Sequence, residues 1–454
     1  MSTPRTVDVT ACIDQRPISG CQWLVMLLCF LIVLVDGFDT AMAGYIAPAL
    51  VDDLGVPRTA LGPVLSAALF GLAAGSLLAG PLADRFGRKP VIVGSVLLFG
   101  LWSLAAAAAG SVASLAALRL LTGLGLGAAM SNALTLMSEC SPQRRRSVMV
   151  NAVFCGFPVG AALSGLLAAW MMPRYGWRGV MLTGGAVPLL LALALALWLP
   201  ESARHMASRG VGAERIRRTL ARLTGSRFDD AAAFVSGEPG LHGGRSAAAM
   251  ILSAPYRFGS AMLWITYFMG LLIFYVLTAW MPLLMKDVGF TAAKAAALTA
   301  LFPLGGGVGS LLAGWLMDRT RLHRVVAAAY AATGVLIFAA GRGGSVEQLS
   351  ALIFLAGAAM NGAQTSMGSL AAAYYPTACR ATGVAWMLGF GRLGGILGAL
   401  GGSTLLGWQL GFGGTFSLLA VPAMIAAAAL LIKEASDARR QLTALGIDVA
   451  RTGA

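Results

Sequence analysis

The chain is poor in charge. Asp, Glu, Lys and Arg make up only 11% of its 454 residues, under half the share of an ordinary soluble domain. That is too few to cover the several water-soluble domains such a length would otherwise supply. Histidine is scarce as well: His205, His242 and His323 all fall in polar segments between apolar runs, so no imidazole within the bilayer is available as a proton relay. The six cysteines, at 12, 21, 29, 140, 155 and 379, lack metal-site spacing and form no framework in outward loops, so no zinc module and no disulfides are expected. No nucleotide loop and no nucleophile beside a base stands out, which leaves no expectation of a cofactor, a metal or an enzymatic activity. The formal charge of +14 is not interleaved with stacking aromatics, and no nucleic-acid partner is expected.

What the chain has instead is apolar length. Hydrophobic residues reach 58%, and glycine adds another 58 residues. The implied solvent is a lipid bilayer. Runs at 23–47, 59–81, 91–109, 112–138, 149–171 and 178–199, then at 258–281, 294–316, 325–340, 349–373, 381–404 and 412–432 approach or exceed the roughly 20 residues that span a hydrocarbon core. They predict an all-α membrane protein of twelve transmembrane helices in two six-helix bundles. The domain reading is a tail at 1–22, a bundle at 23–199, a polar linker at 200–257, a second bundle at 258–433 and a tail at 434–454. The first run continues past Asp36 with no small-residue cleavage site and reads as a retained helix. Residues 212–223 have the pattern of an amphipathic helix on the membrane surface. With both termini in the cytosol, inward segments hold 25 of the 33 basic residues and outward loops hold 6, so an N-in, C-in topology is expected. The remaining two, Arg119 and Arg392, lie inside apolar runs.

The two sets of six repeat one another. Gly71-Leu-Ala-Ala-Gly-Ser-Leu-Leu-Ala-Gly-Pro-Leu-Ala-Asp-Arg85 and Gly305-Gly-Gly-Val-Gly-Ser-Leu-Leu-Ala-Gly-Trp-Leu-Met-Asp-Arg319 agree at ten of fifteen positions with an offset of 234 residues, and that offset also pairs Pro142 with Pro376, Arg146 with Arg380 and Gly160 with Gly394. Parallel repeats of six helices are built to work by alternating access, one half rocking against the other.

Several charges stand where lipid should not tolerate them. Asp36 and Asp39 lie three residues apart, about 20 Å into the first helix at 1.5 Å per residue, and so share one helix face. An ionised Asp at the bilayer centre costs about 2.5–3.5 kcal/mol on insertion scales. Such a pair either exchanges protons during transport or forms an ion pair with an intramembrane Arg. Glu139, at the inner end of the fourth run, is either a second proton site or a helix-end charge facing Arg144–Arg146. Arg119 and Arg392 are permanently cationic, and each can clamp a carboxylate through two parallel hydrogen bonds. Their partner is either an organic anion as cargo or Asp36 and Asp39, and the two can alternate. Asn361 and Gln364, three apart in the tenth run, need polar partners and are candidates for substrate binding. Trp386 and the aromatic residues of the seventh run could line a pocket for a flat ring. Near the second run, Asp84 with Arg85, Arg88 and Lys89 can make a charge cluster that holds in one conformational state and breaks in the other.

These residues also carry a resemblance. Gly80-Pro-Leu-Ala-Asp84-Arg85-Phe-Gly87-Arg88-Lys89, with a degenerate copy at Gly314–Arg324, resembles the loop signature of the major facilitator superfamily. Asp36-Gly-Phe-Asp39-Thr, Pro200-Glu201-Ser202-Ala-Arg204 and Tyr375-Pro376-Thr-Ala-Cys-Arg380-Ala-Thr-Gly383 resemble the aromatic acid/proton symporter family, nearest its 4-hydroxybenzoate/protocatechuate permeases around Met360–Gln364 and Trp386–Gly395. The resemblance implies uptake of a small aromatic carboxylate with protons across the plasma (inner) membrane. It implies that Asp36 and Asp39 are needed for transport, that Gly80, Asp84, Arg85, Gly87 and Arg88 act in the conformational switch, and that Arg119, Glu139, Asp318, His323, Arg380 and Arg392 have roles. The second signature departs by ending in Thr-Arg-Leu-His323-Arg324 rather than Gly-Arg-Lys. The competing reading is a proton-coupled exporter of drugs or organic acids. Its Gly-Pro-x-x-Gly-Gly mark in the fifth run is only partly matched by Gly156-Phe-Pro158-Val-Gly160.

Overall fold

A computed structural model describes residues 6–226, 228, 233–235, 247–317, 322–376 and 379–444. The first half contains α1 (Val9–Asp14), α2 (Gly20–Leu54), α3 (Gly62–Phe86), α4 (Arg88–Ala106), α5 (Val112–Cys140), α6 (Arg146–Phe154) and α7 (Gly156–Trp198). Short helices α8 (Ala203–Ser208), α9 (Ala213–Thr224) and α10 (Ala247–Ile251) occupy the linker. The second half contains α11 (Arg257–Asp287), α12 (Ala292–Met317), α13 (Leu322–Gly341), α14 (Val346–Tyr374), α15 (Arg380–Gly407) and α16 (Gly411–Ala444). Eleven helices among the described residues are long and apolar enough to cross a membrane. The expected fifth and sixth spans run together in α7 but are divided at Gly176, whose φ of 66° and ψ of −175° interrupt the helix.

The duplication extends from sequence to contacts. Helix α5 starts at Val112 and α14 at Val346, 234 residues on, and each follows a serine that closes a capping box, Ser111 with Ser114 and Ser345 with Gln348. A Cβ on Gly71 would overlap the carbonyl of Leu120, and one on Gly305 that of Phe354. Gly75 meets Leu124 as Gly309 meets Ala358, and Gly160 meets Leu34 as Gly394 meets Phe268. Every one of these pairs keeps the 234-residue offset. Small residues let helix backbones touch, which substitutes for the hydrophobic drive that lipid removes.

Close contacts divide the chain into two compact units. One comprises Met1–Met42, Ala67–Ser164 and Arg174–Gly243, the other Ala43–Ser66, Gly165–Pro173 and Gly244–Ala454. The second unit thus takes in the end of α2, the start of α3 and the middle of α7. There Asp52 pairs with Lys286 and Arg58 with Asp287, while Gly44 lies against the backbone of Thr278 and Ala279.

Two local features differ from expectation. The chain is not purely helical: β1 (Thr6–Asp8) pairs in parallel with β2 (Ala233–Val235), Val7 opposite Phe234. Three residues are too few to leave a readable alternation. The amphipathic helix exists as α9, but it packs on protein, not on lipid. Its Ile216, Leu220 and Leu223 join the core of the first unit with Val9, Ile13 and Leu136, and Ser19 Oγ donates to the Leu223 carbonyl.

Overpacking a close helix contact costs about 1–3 kcal/mol. The variants G160A and G394A should therefore unfold in detergent at lower temperature than the parent. G94A, where an added Cβ meets nothing within 4 Å, should not. Equal melting curves for G160A and G94A would remove close backbone packing as the organising contact.

Candidate functional site

The acidic residues of α2 lie inside the first unit. Asp36 and Asp39 are 1% and 0% exposed, and Arg119 of α5 is 1% exposed. Arg119 Nη1 donates to Asp39 Oδ2 at 2.7 Å and Nη2 to the Asp39 main-chain oxygen at 3.0 Å. Ser103 Oγ of α4 donates to Asp39 Oδ1 at 3.3 Å. Asp39 is thus held by groups from two other helices, α4 and α5, while Asp36 accepts a 3.4 Å bond from Thr40 one turn along its own helix. Gly37, between them, faces Phe157 of α7 so closely that a Cβ would overlap its carbonyl. The pairing alternative foreseen for Arg119 is the arrangement found. A guanidinium clasping both a carboxylate and its main-chain carbonyl is geometrically specific as well as strong.

At the linker end of the same unit, Arg88 Nη1 donates to Asp84 at 2.7 Å and Nη2 to Glu139 at 3.1 Å, tying α3, α4 and α5 together. Glu139 thus faces Arg88 of the loop signature. The turn into α4 is made by Gly87, with φ at 99°, where a side chain would be strained. A Cβ there would also collide with the Glu201 carboxylate. Glu201 in turn accepts the main-chain N–H of Arg88 at 2.9 Å, of Lys89 at 3.2 Å and of Ser202 at 2.9 Å. It is a carboxylate placed on the open N–H groups of a helix start. Gly80 and Arg85 are exposed on α3, and nothing lies within 4 Å of a Cβ at Gly80.

In the second unit, Gln364 Oε1 accepts from the Tyr330 hydroxyl at 2.6 Å, and its Nε2 donates to the Tyr267 carbonyl at 3.4 Å. Gly270 makes room for this contact, since a Cβ there would strike both Gln364 and Tyr330. Arg392, half-buried on α15, acts electrostatically on Tyr267. Asn361 donates to the Gly357 carbonyl of its own helix at 3.1 Å. Trp386 is 43% exposed and packs at a tilt against Trp264, ring centres 5.8 Å apart, with Phe390 at 5.7 Å from the same ring. Six residues at 100° each put Trp386 and Arg392 about 120° apart around α15, so they serve different flanks. His323 Nε2 lies 3.0 Å from Lys433 Nζ, which pairs with Asp437 at 2.8 Å. Arg380 is exposed and its Nε donates to the Tyr375 carbonyl at 3.4 Å. Asp318 lies outside the described residues. Sequence reasoning missed three partners: Ser103 and Tyr330, which carry no local signal, and Glu201, which stood in a noted motif without an assigned role.

A repeated six-helix scaffold with a guanidinium–carboxylate pair inside its apolar helices defines a multi-pass membrane transporter, not an enzyme. The profile described as Major Facilitator Superfamily matches residues 29–297 and 263–446, and the chain belongs to that superfamily. It is 49% identical to a 4-hydroxybenzoate transporter, PcaK, of Pseudomonas putida, over 95% of this chain and 97% of that protein. A gallate transporter of the same species is 48% identical over 94% of both chains. A 3-(3-hydroxy-phenyl)propionate transporter of Escherichia coli K12 is 34% identical over 91% of this chain and 94% of that one. Among solved structures, a D-xylose-proton symporter aligns with a TM-score of 0.69 at 18% identity, covering 89% of this chain and 96% of its own. That likeness shows the fold.

Breaking a buried ion pair by removing one partner costs about 3–5 kcal/mol, because the other charge is stranded. D39N and R119Q should each lower the yield of monodisperse protein in size-exclusion chromatography, and D39N/R119Q should restore it without restoring transport. A double variant that regains both would reduce the pair to a helix clip. For G87A, strain and the clash with Glu201 should abolish transport while the protein still reaches the membrane. G80A, facing open space, tests whether that loss is specific: if both variants transport equally, the turn at Gly87 has no part in the cycle.

Proposed function

We propose that the protein is a secondary active transporter that imports a small aromatic carboxylate, of the 4-hydroxybenzoate or protocatechuate kind, together with protons. The buried Asp39–Arg119 pair carries this reading. In the arrangement described, Arg119 is engaged and closed to solvent, so it takes no cargo until Asp39 releases it. A proton arriving at Asp39 removes the charge that holds the guanidinium. Arg119 then becomes a receptor for a substrate carboxylate, and substrate replaces the internal carboxylate in the same donor set. Asp36 and Glu139 are the further proton-coupling groups. Arg392, Asn361, Gln364 and Trp386 bind substrate from the second half, with the hydroxyls of Tyr267 and Tyr330 nearby for ring hydroxyl groups. The names of relatives with nearly half their residues in common support the substrate class.

In this reading, Gly80, Asp84, Arg85, Gly87 and Arg88, with Asp318, His323 and Arg380 in the second half, form the switch. The Arg88 bridge between Asp84 and Glu139 holds one state and breaks in the other. Both termini face the cytosol, residues 23–199 and 258–433 form the rocking bundles, and the membrane is the inner one.

Cells expressing the chain should accumulate labelled 4-hydroxybenzoate, and a protonophore should abolish the accumulation. A protonophore that instead raises the internal level would establish export, and no gradient dependence would exclude proton coupling. R392K should raise the half-saturation concentration roughly tenfold, since a hydrogen bond to a charged group is worth about 1.5 kcal/mol. An unchanged value would remove Arg392 from carboxylate binding.

A further inference from the structure

A cavity of about 750 Å³ opens at the linker end of the first unit, where α3, α4 and α7 end or begin and α8 and α9 close over them. Its basic lining is formed by Arg85, Lys89, Arg209, Arg215, Arg218 and Arg222. Among the described residues, two acids stand against these six basic side chains: Glu201 in the lining, which attracts Lys89, and Glu214 bonded to Arg218. Glu201 spends its carboxylate on the main-chain N–H groups of Arg88, Lys89 and Ser202. Glu214 binds Arg218 at 2.7 Å and also pairs with Arg217. The Arg218 bond holds the Glu214 carboxyl below its ordinary range. Among the described residues, Arg85, Lys89, Arg209, Arg215 and Arg222 make no ion pair, and Arg222 lies near enough to Lys89 for the two charges to repel.

Like charges around one cavity repel one another, and an anion bound among them would relieve that repulsion. The polar lining is dominated by guanidinium and ammonium donors, with Glu201, His205 and Thr219 beside them, and a donor set of that kind matches phosphate. The lining also has an apolar part, with Phe86, Pro90 and Leu199. It sits where apolar α3 and α7 end and α4 begins, the depth at which lipid head groups lie and basic pockets take anionic lipids.

We propose that this cavity binds a phosphate-bearing anion, which bridges the loop at Arg85–Lys89 to the linker helix α9. Two sources share that chemistry, the head group of an anionic phospholipid and a soluble phosphate. Occupancy would fasten the linker to the loop that precedes α4, and so adjust the mobility of that loop from outside the transport path.

Purified full-length protein in zwitterionic detergent is titrated with short-chain phosphatidylglycerol, short-chain phosphatidylcholine and inorganic phosphate, and binding is read by native mass spectrometry and by melting temperature. Phosphatidylglycerol or phosphate should bind and raise the melting temperature, and phosphatidylcholine should not. Binding of phosphatidylglycerol alone identifies a lipid site, and equal binding of inorganic phosphate a soluble-anion site. In either case R215Q/R222Q should weaken binding at least tenfold. R144Q/R145Q, which removes the same charge from residues outside the cavity, should leave it within twofold. The proposal is overturned if neither anion binds, if R215Q/R222Q binds like the parent, or if R144Q/R145Q loses as much, which would mean only a diffuse basic surface.

Discussion

A charge held in hydrocarbon has to be answered locally, and much of the first unit is arranged around that requirement. Asp39 and Arg119 lie on different helices, α2 and α5, and their contact requires those helices to stay in one register. Ser103 adds α4 to the same constraint. The pair is expensive compared with apolar side chains of the same size, which often stabilise as well or better. Its retention in so apolar a chain therefore favours a role in binding or coupling over one in adhesion. The same property suits the pair to the proposed role: either partner, once neutralised or occupied elsewhere, leaves the other without a counter-charge.

Register depends on backbone contact. Gly71, Gly75 and Gly160 and their counterparts at Gly305, Gly309 and Gly394 put one helix against the carbonyls of the next, which leaves no slack for a helix to rotate about its axis. At the linker end a different device appears. Gly87 turns the chain into α4 with the space beside it filled by the Glu201 carboxylate, so the glycine and the acid are one feature seen from two motifs 114 residues apart. Arg88 then reaches from that turn to Asp84 and Glu139. The charge cluster foreseen at the loop signature is present, with Glu139 drawn into it.

Legibility in the sequence followed the range of the signal. Twelve apolar runs and their duplication were readable because bilayer thickness fixes helix length and because repeats keep their offset even where residues diverge. The buried charges were readable because lipid makes any Asp or Arg conspicuous. Pairing among them was left open between cargo and internal partner, since spacing along a helix says nothing about which neighbour faces it. Ser103 and Tyr330 were invisible for the opposite reason: a hydroxyl in an apolar helix bonds its own backbone as readily as a neighbour. The docking of α9 was misjudged because an apolar stripe looks the same whether it meets lipid or Leu136 and Val9. Trp386 and Arg392 lie in one short motif, yet helical geometry puts them on separate flanks.

The duplication also explains an asymmetry in the second unit. Asp52 pairs with Lys286, and the two are each other's counterparts under the 234-residue offset. Gly44 packs on Thr278, again its own counterpart, and Pro48 and Pro282 stand midway between these two contact positions, in α2 and α11. A position that touches its own copy makes a contact of the isologous kind seen in symmetric dimers. There a faithful duplicate would oppose identical side chains, aspartate against aspartate. The chain escapes this by changing sign at one copy and by shrinking the side chain to hydrogen at the other. The adjacent positions, Asp53 and Asp287, are acidic in both halves, with Asp287 engaged by Arg58. A half-exposed pair of this kind contributes about 0–1 kcal/mol, enough to bias an equilibrium and too little to lock it, which is the strength a contact needs if it is to be made and broken once per cycle.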